Sequence, residues 1–432
     1  MRPMTARSHR IGFWMAVALV MGNMIGSGIF LLPSSLASFG LVGLFGWIVS
    51  AVGSIFLALV FARMSRIHPA AGGPYAFTRM AFGDVAGFLV AWGYWLSICS
   101  GNAGIALAGV GYLDAFAPQF VREPLVASAL AIAAVWLFTL VNIWGIREAA
   151  KVQLVSTVLK LLPLILVAGA AFVAFNPDHF EVTTTGARAI GGQLSTAAAL
   201  TFWAFGGLES ATIPADSVDD PRRTIPRATM IGTVITAVIY IAATVGVMSV
   251  VPPDLLVTST APFADAARAL AGNWAAGAVA AGAAIACFGC LNGWILIAGQ
   301  MPHALAGDGL FPRAFARVSG GGSPVMALIV SSVLTTSLIA LNATRGLVDL
   351  FTFMILLGTL STLVPYAFSS MAAFLVGGRP SAGAGFIASV AFIYSLWMIG
   401  GAGAEVVYWG FLLLLCGLPV YVWASWKKEH LA

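Results

Sequence analysis

Two charged side chains lie inside long apolar stretches of this sequence, where they are candidates for chemistry away from bulk water. Glu209 follows AFGGL, and Lys160 lies in KVQLVSTVLKLLP. A charged side chain at the centre of a membrane-spanning helix costs about 2.5–3.5 kcal/mol on insertion scales, so such residues are usually functional. We predict that both exchange protons. The alternatives are a structural, hydrogen-bonded Glu209 and a Lys160 whose long side chain reaches the membrane surface.

Two glycine-rich interruptions lie in equally apolar surroundings. The stretch 21–33 reads MGNMIGSGIFLLP, and Gly206-Gly207 come shortly before Glu209. A break in a membrane helix frees backbone N–H and C=O groups, which is tolerated only where protein, water or a ligand satisfies them. The freed N–H groups favour an anion such as a carboxylate, and glycine allows it to approach the backbone closely. Helix packing through small residues is the alternative.

The composition of the whole chain indicates which structural elements position the charged residues and the glycine interruptions. Hydrophobic residues make up 60% of the 432 positions and charged residues only 9%, against about 25% charged in soluble domains. A length of about 20 apolar residues per span predicts an all-α polytopic membrane protein with 12 transmembrane helices. The predicted spans are 11–37, 41–62, 84–113, 125–145, 152–175, 190–213, 228–251, 274–301, 324–342, 347–376, 383–402 and 404–426.

The distribution of lysine and arginine predicts the orientation of these spans. Placing both termini in the cytoplasm assigns 16 basic residues to the cytoplasmic side and 4 to the opposite side, with Lys160 inside a span. The positive-inside rule therefore places both termini in the cytoplasm. The net charge of +5 follows from this topology, so we do not interpret it as nucleic-acid binding.

The two interruptions fall in predicted spans one and six, five spans apart. Matching interruptions in two halves of a chain are the best sequence indication of a transporter's central site. We therefore predict a ten-helix core over 1–376, with one repeat at about 11–175 and a second at about 190–376. Because each repeat has an odd number of spans, the second is inverted in the membrane. Residues 377–432 contain two additional helices.

Five motifs carry a family resemblance: GNMIGSGIF, AAGGPYAF at 70–77, FWAFGGLES at 202–210, DDPRRTIPRA at 219–228 and GDGLFPRAFARV at 307–318. Together they resemble the amino acid/polyamine/organocation transporters. The similarity is greatest to the bacterial basic amino acid and polyamine antiporters, the arginine/agmatine exchanger among them. It implies a LeuT-type inverted-repeat fold in the bacterial inner membrane, often as a homodimer, with no sodium requirement.

The resemblance also carries a substrate site over to matching positions. Trp203 corresponds to the aromatic residue that stacks over bound substrate, and its indole suits a cationic group through a cation–π attraction of about 0.5–2 kcal/mol. Gly206 replaces a bulky aliphatic residue of the exchanger, which implies a roomier pocket. For Trp294, anchoring at the lipid interface is the alternative. The implied substrate-binding residues are Met24, Ser27, Gly28, Asn102, Trp203, Gly206 and Trp294.

The implied function is secondary active transport without a cofactor, a metal or a covalent step. The glutamate that matches Glu209 couples pH to gating in the resembling antiporters. A lysine at the place of Lys160 is absent from the exchanger but present in proton-coupled and neutral amino acid carriers. We expect an antiporter that exchanges a cationic amino acid for a related amino acid or amine. The alternative is a proton-coupled permease for neutral or varied amino acids.

Two other classes are disfavoured by the sequence. A receptor that binds without translocating would need a signalling domain, and both predicted termini are short. An intramembrane enzyme would need catalytic side chains, and the spans hold no His–Glu metal cluster and no pair of acids. Cys287 and Cys290 have CxxC spacing, but without a second ligand pair we interpret them as packing residues.

Overall fold

A computed structural model of the chain describes residues 12–26, 28–67, 73–144, 164–169, 175–180, 187–209, 218–319 and 322–429. These residues form α-helices joined by short turns, and 164–169 are helical as well. The helices are α1 (Phe13–Met24), α2 (Gly28–Leu36), α3 (Leu41–Ile67), α4 (Gly73–Phe82), α5 (Asp84–Gly111), α6 (Pro124–Trp144), α7 (Ala187–Phe202), α8 (Pro221–Val250), α9 (Pro262–Ala271), α10 (Asn273–Gly307), α11 (Val325–Ala340), α12 (Leu347–Leu375), α13 (Ala382–Gly401), α14 (Ala404–Leu415) and α15 (Gly417–Glu429).

Within this described part of the chain, eight helices are long and apolar enough to cross a membrane. Of three shorter apolar helices, Phe13–Gly22 and Gly28–Phe39 overlap predicted span one, and Val325–Ala340 lies within predicted span nine. The chain is therefore an all-helical polytopic membrane protein, as predicted. Of the predicted fifth span at 152–175, the described residues are 164–169 and residue 175.

The centre of the bundle is formed by α5, which packs against α12 and α10. In α5, 94% of the most apolar stretch is buried, whereas in Ala404–Trp426 only 17% is buried. Apolar surface that the protein leaves uncovered suits contact with lipid tails. The difference identifies α5 as a core helix and Ala404–Trp426 as peripheral.

The loop helix α4 ties the ends of two core helices together. Tyr75 Oη donates a hydrogen bond to Asp308 Oδ2 at 2.6 Å, just beyond the end of α10. Arg79 Nε donates to Asp84 Oδ1 at 2.7 Å, at the start of α5. Burial and the bond to Asp308 raise the pKa of Tyr75, so its hydroxyl remains a donor at neutral pH. The loop motif around Tyr75 thus holds α5 and α10 in place around the site.

Candidate functional site

The first interruption separates α1 from α2. Helix α1 ends at Met24, and Ile25 leaves the helical region with φ −70° and ψ 83°. Gly26 N donates to Met24 O at 2.7 Å, a tight turn in place of the helical bond. Helix α2 then begins at Gly28. Its first N–H groups have no acceptor within their own helix, which suits them to an anionic group.

The second interruption follows α7. A single 3₁₀ turn covers Trp203–Phe205, and Gly206 is extended with φ −56° and ψ 132°. Gly207 has φ +100°, a conformation that residues with a Cβ rarely adopt. The glycine pair therefore turns the chain away from the helix, between Trp203 in the 3₁₀ turn and Glu209 beyond it.

Tyr240 on α8 joins the two interruptions. Its hydroxyl donates to Met24 O at 2.5 Å and lies 3.1 Å from Ala204 O, a second acceptor of the same proton. Both carbonyls belong to the segments where helical bonding fails, and Tyr240 itself is fully buried. Since unsatisfied carbonyls are costly in a membrane interior, one phenol stabilises both breaks.

Both interruptions open on a single cavity between α5, α10 and α12. Its central space is about 40 Å³, room for about three water molecules. The lining residues include Met24, Gly28, Trp203, Gly206, Glu209 and Trp294, together with Tyr94, Ser97, Gly101, Cys290 and Thr362.

One side of the cavity is formed by a buried carboxylate held between two phenols. Tyr94 Oη on α5 donates to Glu209 Oε1 at 2.6 Å, and Tyr366 Oη on α12 donates to Glu209 Oε2. Glu209 is fully buried, and these hydrogen bonds offset the cost of removing it from water. This Glu209 triad, Tyr94–Glu209–Tyr366, links the second interruption to the two central helices.

Comparison with known proteins identifies the family. The sequence profile of the amino acid permeases matches residues 11–382. The chain belongs to the amino acid permease family. The family resemblance predicted from the five motifs is therefore confirmed.

Curated relatives of this permease are transporters. It is 36% identical to a cadaverine/lysine antiporter of Escherichia coli strain K12, over 84% of this chain and 82% of the relative. It is 35% identical to a putative arginine/ornithine antiporter of Bacillus subtilis strain 168, over 98% of both chains. It is 29% identical to the putrescine transporter PotE of Escherichia coli strain K12, again over 98% of both chains.

The structure brings most of the predicted site residues of the permease into one cavity. Those that line it are Met24, Gly28, Trp203, Gly206, Trp294 and Glu209. Asn102 is buried on α5 and is not among the lining residues, although its neighbour Gly101 is. Ser27 and Lys160 lie outside the described residues. The substrate and proton roles of all nine residues remain predictions.

Several site residues were missed by the sequence reasoning. Tyr94 and Tyr366 complete the Glu209 triad, and Tyr240 bridges the interruptions. Each is a polar side chain in the middle of an apolar helix, a signal that was available. Cys290, interpreted as a packing residue, also lines the cavity, and nothing in the local sequence indicates that. Which helix faces meet depends on contacts between distant segments.

Proposed function

We propose that this permease is a secondary antiporter, which exchanges a cationic amino acid for a related amino acid or amine by alternating access. The observation that carries the proposal is the cavity itself, onto which two helix interruptions, two tryptophans and a buried carboxylate converge. The names of the three relatives support the substrate class. No step forms or breaks a covalent bond, so the protein is not an enzyme and requires no cofactor.

The proposed architecture has twelve spans, with a LeuT-type five-plus-five inverted repeat over 1–376 and two additional helices over 377–432. It is supported by the positions of the interruptions, one between α1 and α2 and one directly after α7. The protein would lie in the bacterial inner membrane with both termini in the cytoplasm, and would form a homodimer. Its partners are the small-molecule substrate and the lipid bilayer.

The two ends of a zwitterionic substrate have complementary groups in the cavity. The N–H groups at the start of α2, next to Gly28, suit the substrate carboxylate. The carbonyls freed at the two interruptions suit its α-ammonium group. A cationic side chain would lie against the indoles of Trp203 and Trp294, which attract cations through their π faces. The two backbone contacts use groups that an unbroken helix would not present to the cavity.

Glu209 and Lys160 are the proposed proton-coupling residues. A proton on Glu209 would neutralise the acceptor of two phenol bonds, and so change the link between the second interruption and the central helices. The alternative function, proton-coupled transport of neutral or varied amino acids, is favoured by Lys160 and by the small residue at Gly206. The two functions differ in whether a counter-substrate is required.

Counterflow in proteoliposomes tests the proposal. Vesicles loaded with a cationic amino acid, its decarboxylated amine or a neutral amino acid of similar size would be given labelled external substrate. An antiporter takes up label only when the interior holds a counter-substrate. Uptake into empty vesicles driven by a proton gradient would support the alternative, and binding without uptake in any vesicle would contradict both.

The same vesicles separate the two proton sites. With internal and external pH set independently, Glu209→Gln should flatten the pH dependence of uptake if Glu209 is the coupling group, because an amide does not titrate. Lys160→Ala should do so if Lys160 is. If both variants keep the wild-type pH profile, neither residue carries the coupling proton.

A further inference from the structure

The indole of Trp203 lies against three glycines from three different elements. A Cβ built on Gly28, at the start of α2, would lie 2.8 Å from Trp203 Cδ1 and 2.9 Å from Nε1. One on Gly358, in α12, would lie 2.6 Å from Cζ3. One on Gly101, in α5, would overlap Cη2 and lie 3.1 Å from Cζ2. Distances below 3.0 Å are essentially never found for real Cβ atoms, so the ring position requires glycine at all three places.

The contacts are specific to the ring. The three atoms nearest to a Cβ at Gly101 all belong to Trp203, and two of the three nearest to a Cβ at Gly358 do. On the same helix, a Cβ at Gly104 would meet Ile355 Cγ2 at 3.0 Å, and none of its three nearest atoms belongs to Trp203. Close packing of α5 on α12 alone would not direct Gly101 and Gly358 at a side chain from the second interruption.

Gly101 and Gly358 also lie at a different height in the helix bundle from the two tyrosines of the Glu209 triad. On α5, Gly101 is seven residues beyond Tyr94, a distance of about 10 Å along the helix axis. On α12, Gly358 is eight residues before Tyr366, a distance of about 12 Å along the helix axis. In chain order the glycine follows the tyrosine on α5 and precedes it on α12. The cavity is lined at both levels, by Gly101 and Trp203 at one and by Tyr94 and Glu209 at the other, and its lining continues along α5 to Ile105. The same two helices therefore contact both the Trp203 ring and the Glu209 triad.

We propose that Gly28, Gly101 and Gly358 form a seat for the Trp203 ring, and that they are positioning residues that determine how completely this ring closes the cavity. The proposal rests on the proposed transport function, in which Trp203 covers the substrate. A methyl group at any of the three places prevents the ring from seating. The cavity then stays open beside the ring, bound substrate escapes more readily, and the protein spends less time in the closed state.

The test uses the full-length protein with Gly101→Ala and Gly358→Ala, and with Gly104→Ala as the matched control. Acrylamide quenching reports exposure of Trp203, whose emission is isolated from that of the other tryptophans by subtracting the spectrum of Trp203→Phe. We expect quenching of Trp203 to rise in the two seat variants and to stay at the wild-type value in the control. Equal quenching in all three variants, whether raised or unchanged, would overturn the proposal.

Transport kinetics and rescue distinguish a seat from general packing. We expect KM for counterflow to rise about fivefold or more in each seat variant, because forcing one methyl group into a tight contact shifts an equilibrium by such factors. In the Trp203→Phe background the smaller ring leaves room, so Gly358→Ala should then have no further effect. If Gly101→Ala alone does not fold, its combination with Trp203→Phe should restore folding.

A Gly358→Ala effect of equal size in both backgrounds would overturn the proposal, as would a failure of Trp203→Phe to rescue Gly101→Ala. The quenching measurement needs no transport. If counterflow fails for every substrate, the proposed function fails while the seat is still tested.

Discussion

The two helix interruptions face the same cavity but contribute different chemistry. The first, between Met24 and Gly28, presents backbone groups. The second presents side chains, since Trp203 before its glycine pair and Glu209 after it both line the cavity. Their burial differs as well: Glu209 is fully buried and bonded to two phenols, whereas Trp203 is half-buried. Under the proposed function, the first interruption would bind the carboxylate that amino acids share, and the second would contact the side chain that differs between them.

The largest expected effect comes from adding a side chain to the first interruption. Gly28→Val should reduce binding of a carboxylate-bearing substrate by about 10- to 150-fold, because one lost charge-assisted hydrogen bond costs about 1.5–3 kcal/mol. The loss should be greater for an amino acid than for its decarboxylated amine. Calorimetry on purified protein measures both affinities.

Gly22→Val is the matched control for this substitution. Gly22 lies in α1, before the interruption, and a Cβ there would meet nothing within 4 Å. It should bind like the wild type. Equal losses for the amino acid and the amine in Gly28→Val would show that displacement of Trp203 is responsible, and the backbone role of the first interruption would then be wrong.

The next largest effect concerns the carboxylate of the second interruption. Glu209→Gln should lower maximal uptake by about tenfold, since bonds to a charged acceptor are replaced by weaker ones, and should flatten the pH profile. Tyr366→Phe removes one of the two phenol donors and keeps the titratable group. It should lower uptake while the pH dependence persists. If the pH profile of uptake were flat in Tyr366→Phe and normal in Glu209→Gln, Glu209 would not be the group that titrates.

A smaller effect is expected from the aromatic side chain of the second interruption. Trp203→Leu should weaken a cationic substrate about fivefold more than a neutral one of similar size, because only the cation loses a π-face attraction of about 1 kcal/mol. Competition of unlabelled substrates against labelled uptake gives the two ratios. Identical losses would leave Trp203 as a lid without a role in charge recognition.

The smallest effect tests the connection between the interruptions. Tyr240→Phe removes the hydroxyl shared by Met24 O and Ala204 O, and should lower stability by about 1 kcal/mol. Thr244→Val, one turn further along α8, is the control, since its buried hydroxyl has no hydrogen-bond partner among the described residues. Thermal unfolding of both variants decides: a Tyr240→Phe protein as stable as the Thr244→Val protein would exclude a bridging role.

Much of the fold could be predicted from sequence because membrane solvation is a local constraint. Each span must satisfy its backbone internally over about 20 apolar residues, so helix positions such as α3, α5 and α12 follow from hydropathy. Glycines in the middle of such spans indicated both interruptions for the same reason. The family followed from motifs around them, and the profile match confirmed it.

The pairing of residues across the bundle was decided by tertiary structure alone. Glu209 was recognisable from its charge, but its partners Tyr94 and Tyr366 lie 115 and 157 positions away. The three glycines around Trp203 look like ordinary small residues in a chain that contains 48 glycines. Hydropathy specifies that a residue is within the membrane and does not specify which face of its helix meets which neighbour. That choice depends on side-chain packing between distant segments, which only the folded chain brings into contact.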